Sequence, residues 1–173
     1  MRSKMAEQLM AELSRRNIDL VASWALGQTG AISCLVEITL SQEEKVSSRS
    51  SWVLEKLSDQ FPGILDEYIP EIITAISTIE SSSIRRTLAK VLMLHKIPES
   101  LEGQTLDFCL KMIERVKEPV AVKANCMTVL FNLLPKYPEL KNEVFAIIET
   151  QIPYNSVGFK SRFEVLKKRI AKE

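Results

Sequence analysis

With 23 Lys and Arg against 22 Asp and Glu, the 173-residue chain carries a formal charge of +1. No whole-molecule field draws it to nucleic acid or an anionic membrane, so any basic site must be local. The length suffices for one substantial core, and we read residues 1–173 as a single domain.

The N-terminal Met-Arg-Ser-Lys-Met-Ala-Glu returns to charge within a turn and offers no export signal. Met5, Leu9, Met10 and Leu13 form an apolar stripe that predicts a helix over 3–15. Asn17 is the expected cap of a second, short helix over 18–27 around Val21, Trp24 and Ala25, closed by Gly27 and the turn through Gly30. The uncharged run Leu20 to Val36 is too short and too polar to span a bilayer, so no membrane association is expected. Residues 1–28 are expected to form an N-terminal helical cap.

From here a fixed interval governs the chain. Steps of 37 positions from Arg49 land on Arg86, Lys123 and Lys160, and a parallel column runs Trp52, Ala89, Cys126, Phe163. A third holds Leu54, Val91, Thr128 and Val165. Two more mark a first set of helices: Leu35, Ile72, Cys109, Ala146, and beside it Val36, Ile73, Leu110, Ile147. Such a period predicts stacked helix pairs, each burying its apolar face against its neighbours. An irregular bundle would share the helices without the regular stacking.

The expected units are 29–62, 63–98, 99–136 and 137–173. First helices are predicted at about 29–40, 65–79, 101–116 and 139–151, and second helices at about 43–60, 82–95, 119–134 and 156–171. Ser41 with Glu44 has the spacing of a capping box, and the serines at 81–83 and Asn155-Ser156 offer later caps. Cys34, Cys109 and Cys126 fall on apolar positions without a Cys-x-x-Cys pair, which fits reduced core residues and a cytoplasmic location.

The second helices resemble those of HEAT repeats, in which a cation is followed by small or apolar residues at three, six or seven, and ten positions on. Lys123, Cys126, Val129, Leu130 and Leu133 keep this pattern, and Arg86, Ala89, Leu92 and Met93 come close. Arg49, Trp52 and Leu57 depart from it, because Glu55 stands where an apolar residue is expected. The resemblance spans about 29–171. It implies an all-α, right-handed α-α superhelix of the HEAT-like, armadillo-type class, with about four helix pairs behind the N-terminal cap. It also implies that the second helices line a concave interaction surface.

On that surface the expected partner-binding residues are Arg49, Trp52, Arg86, Lys90, Lys123 and Lys160. A structural reading competes for the cations: Glu43, Glu80 and Glu118 precede Arg49, Arg86 and Lys123 by five or six positions, as in an ion-pair ladder between repeats. The last helix carries Lys160, Arg162, Lys167, Lys168, Arg169 and Lys172 against Glu164 and Glu173, a solvated end cap or a site for an acidic partner. His95, the only histidine, is expected at a helix end or on the surface.

No phosphate loop, nucleophile elbow or metal-ligand spacing occurs, so catalytic residues, cofactor and metal are expected to be none. The function expected is a non-catalytic scaffold for a protein partner. The alternative is nucleic-acid binding resembling that of HEAT-like DNA-alkylation-repair proteins.

Overall fold

The computed structural model describes residues 1–172. Among them lie ten α-helices and no strand. They are α1 (Arg2–Ala11), α2 (Arg15–Leu26), α3 (Ala31–Leu40), α4 (Glu44–Gln60) and α5 (Ile69–Ile76), then α6 (Ser82–Leu94), α7 (Glu99–Glu114), α8 (Val120–Leu133), α9 (Lys141–Gln151) and α10 (Val157–Ile170). The chain divides into two compact units, Met1–Pro98 and Glu99–Glu173.

In the first unit α4 packs against both α2 and α6, while α1 lies on α2 and α4, α3 on α4, and α5 on α6. The helices therefore pair as α1/α2, α3/α4 and α5/α6. Leu35, Val36, Ile72 and Ile73 are buried, as their columns require, together with Leu54, Leu57, Leu88 and Val91.

Local chemistry sets the ends of these helices, and in two places it differs from the expected capping. Ser14, not Asn17, caps α2, its hydroxyl accepting from the Asn17 N–H at 3.1 Å. Asn17 is buried inside the helix, where its amide donates to the Gln8 and Glu12 carbonyls at 2.7 and 3.0 Å and accepts from Gln8 Nε2. It ties the α1–α2 turn together.

The Ser41–Glu44 capping box does not form. Ser41 ends α3 and donates to the Ile38 carbonyl, while Gln42 at φ 57° turns the chain left-handed before α4. Ser81 caps α6 as expected, accepting from the Ile84 N–H.

In the second unit α8 packs against α7 and α10, and α9 packs on α7. The apolar columns slip at α9, where Val144 and Ile148 are buried and Ala146 is exposed. The cause is the link before it: Pro135 and Pro138 start successive 3-10 turns, Leu134–Lys136 and Pro138–Leu140, which rotate the following helix out of the 37-residue register. Phe131, Phe145 and Phe163 close this core with centroids 5.4 to 6.0 Å apart, one pair stacked and two edge-on. No helix among the described residues is long and apolar enough to cross a membrane.

Candidate functional site

One outward stripe of α4 carries Trp52, Glu55, Lys56, Asp59 and Gln60, residues spaced so that a helix presents them together. They form the floor of an open groove of about 460 Å³, walled by Arg15, Ile18 and Asp19 of α2 and Arg86 of α6. Trp52 is 36% exposed, so part of its ring is packed and part faces solvent.

Around it the charges are organised. Glu55, which breaks the apolar pattern of this helix, accepts from Lys90 Nζ at 2.9 Å and from the Thr87 hydroxyl at 3.4 Å, and lies 4.0 Å from Arg86 Nη2. Lys90 also donates to Asp59 Oδ2 at 2.7 Å, and Lys56 pairs with Asp19 at 2.9 Å. Partial burial pulls the Lys90 ammonium down, but the hydrogen bonds to Asp59 and Glu55 outweigh it and raise the group above its ordinary value. The stabilisation from this bridge is present below 10.5 and is lost as pH rises through the raised value.

Two of the expected site residues, Trp52 and Arg86, line this groove, Lys90 is bonded to its Glu55 and Asp59, and the other three lie elsewhere. The Arg49 guanidinium donates to the Leu9 carbonyl at 2.8 Å, serving the last turn of α1 with a cation where the helix dipole is negative. Lys160 is exposed on α10. Lys123 is 1% exposed, buried near Glu118, so it cannot contact a partner from inside the second unit.

Of the acids of the expected ladder, Glu118 acts on Lys123 as a nearby charge. Glu43 pairs with Arg2, Arg86 turns to Glu55, and the backbone of Glu80 serves Gln42 and Arg85. No motif in the sequence marks Asp59, Arg15 and Asp19 as site residues, and Glu55 stands out there only as a departure from the apolar pattern. The signal that could have found Glu55 and Asp59 is a match across helices: acids four apart on α4 stand opposite cations four apart on α6, Arg86 and Lys90.

The HEAT repeat domain family profile matches residues 5–172, so it covers both units and the whole groove. The chain belongs to the HEAT repeat family. No curated protein and no solved structure matches it.

The HEAT match begins inside α1. The groove is built on α2, α4 and α6. In this family the repeats commonly serve as protein-interacting scaffolds and are generally non-catalytic.

One arrangement in the HEAT chain has the connectivity of a hydrolytic triad. His95, its side chain fully buried, places Nδ1 2.7 Å from Asp66 Oδ1 and Nε2 3.1 Å from the Ser58 hydroxyl. It stands at the C-terminal end of α6, as one of the two expected positions has it, but buried and not on the surface. Ser58, at 4% exposure, is closed to any substrate, so the arrangement lacks the reachable nucleophile that acyl transfer needs.

It acts instead as a tie between the ends of α4 and α6 and the turn before α5. Gly63 makes that turn possible: its φ is +81°, and a Cβ there would sit 3.2 Å from Asp66 Oδ2.

Proposed function

We propose that this HEAT repeat protein is a non-catalytic, cytoplasmic scaffold that binds a protein partner across the α2–α4–α6 face. Trp52 is the apolar anchor, and Arg15, Arg86 and Lys90 orient the partner. The observation that carries this reading is the partly exposed Trp52 ring set in a rim of ionic groups. Protein interfaces have this anatomy, a desolvated aromatic centre inside a polar margin, and their binding energy concentrates at Trp, Tyr and Arg.

The rim supports the reading in a second way. Glu55, Asp59 and Lys90 are already joined in the free protein, so little side-chain freedom is lost when a partner covers them. Arg15 has no carboxylate partner among the described residues and is available for a carboxylate on the incoming surface.

Affinity capture from a lysate of the source cells, with wild type and a Trp52→Ala/Arg86→Glu variant as baits and nuclease in parallel, tests the proposal. A protein held by the wild type after nuclease and lost by the folded variant is the expected result. Recovery that disappears with nuclease counts against it and favours nucleic acid. Charge reversal at Lys123 is unsuited to this purpose, since at that depth it probes folding rather than contact.

A further inference from the structure

The flank of α10 that faces α8 differs from the groove of the first unit in that its cations are served only by neutral groups. Arg162 Nη1 lies 3.5 Å from the Thr128 hydroxyl, and Arg169 Nη2 donates to Asn132 Oδ1 at 3.0 Å. Neither guanidinium has a carboxylate partner among the described residues. The sequence explains why. From Val120 to Leu133, α8 contains no acid, Glu149 of α9 is engaged by Lys167, and Glu164 projects from a different side of α10.

Both arginines are exposed, and between them on the same flank Val165 is 64% exposed, although the 37-residue column predicts it to be apolar core. Exposed guanidiniums bracketing an exposed aliphatic side chain are suited to a ligand that is anionic at two points and apolar between them.

We propose that this flank docks an extended acidic peptide segment. The two arginines each take one carboxylate, and Val165 contacts an apolar side chain between them. Arg162 and Arg169 are seven residues apart, about 10.5 Å along the helix. In a polyproline II chain, residues three apart lie on one face about 9.3 Å from each other, a mismatch that long arginine side chains absorb. The matching pattern is an acid, two intervening residues of which one is apolar, and a second acid. Arginine favours this ligand because its planar fork engages a carboxylate through two parallel hydrogen bonds.

A nucleic-acid strand fits less well. Tight binding to duplex uses about 6–10 phosphate contacts, single strands require aromatic side chains for stacking, and Phe159 and Phe163 of α10 are fully buried. The inference goes beyond the scaffold reading and does not rest on Trp52.

The test uses the full chain and a labelled peptide of four Asp-Leu-Pro repeats, titrated by fluorescence anisotropy against its Asn-Leu-Pro analogue and a short single-stranded oligodeoxythymidine. The Asp peptide is expected to bind roughly tenfold or more tighter than the Asn peptide and to weaken with salt. Arg162→Gln/Arg169→Gln, which keeps donors near Thr128 and Asn132, should bring it down to the Asn level, and Trp52→Ala should leave it unchanged. If the double variant melts early, Val165→Asp at its exposed position provides the same reading by repulsion, with the same loss expected. Equal binding of the two peptides, indifference to these variants, or tighter binding of the oligonucleotide would overturn the proposal.

Discussion

Lys123→Met is expected to leave the unfolding free energy at neutral pH unchanged or to raise it by about 1 kcal/mol, because replacing a buried charge by an apolar side chain of similar volume is often neutral or stabilising. Lys123 is 1% exposed, and the Glu118 side chain that accompanies it is 2% exposed. Methionine replaces the aliphatic stem with little change of volume, so the difference reports the charge and not a cavity. Arg115, 3.6 Å from Glu118, still accompanies its carboxylate in the variant.

Burial pushes the Lys123 ammonium below its ordinary 10.5, and the Glu118 charge holds it partly up. Between that lowered value and 10.5 the unfolded chain binds more protons than the folded one, so wild-type stability rises with pH there. The variant lacks this rise, so wild type gains on it at alkaline pH. Urea unfolding of the two proteins at neutral and alkaline pH checks this. A Lys123→Met protein about 3 kcal/mol less stable than wild type at neutral pH, the cost of breaking a buried ion pair, contradicts it.

His95→Ala is expected to cost about 2–4 kcal/mol, the combined effect of an emptied ring site and a buried Ser58 hydroxyl left without its partner. His95→Asn, whose amide can stand in for Nδ1 against Asp66, should recover part of the loss. Both variants should keep partner binding wherever they remain folded, since the tie lies inside the first unit and away from Trp52. Thermal unfolding followed by circular dichroism measures the first effect. A large loss of binding in a folded His95→Asn protein would assign the tie a functional role instead.

The helices were legible because their ends are punctuated chemically. Ser81, Pro98 and Gly27 fall at or beside helix ends, and the second helices lie within a residue or two of the positions their spacing predicts. Depth was not legible. Arg49, Arg86, Lys123 and Lys160 share one register, yet one serves a backbone carbonyl, one an acid across the groove, one is buried and one is in water.

A period records position along a repeat, whereas depth depends on the rotation of each helix and on what its neighbour places opposite. Small adjustments such as the paired 3-10 turns before α9 change that rotation. For the same reason Glu55 looks like a defect in a pattern, although its partners Thr87, Arg86 and Lys90 all reside on α6. The His95 tie left no motif, because Ser58 and Asp66 lie 37 and 29 positions before His95 and converge on it only after α4 and α6 have packed.

The central claim is that the groove at Trp52 is where this HEAT repeat protein grips another protein. Calorimetric titration of the captured partner against wild type and Trp52→Ala tests it most directly. Loss of a hot-spot tryptophan costs at least about 2 kcal/mol, so affinity should weaken about 30-fold or more with the unfolding profile unchanged. Equal affinity of the two proteins, both folded, would contradict the claim and move the binding surface away from α2, α4 and α6.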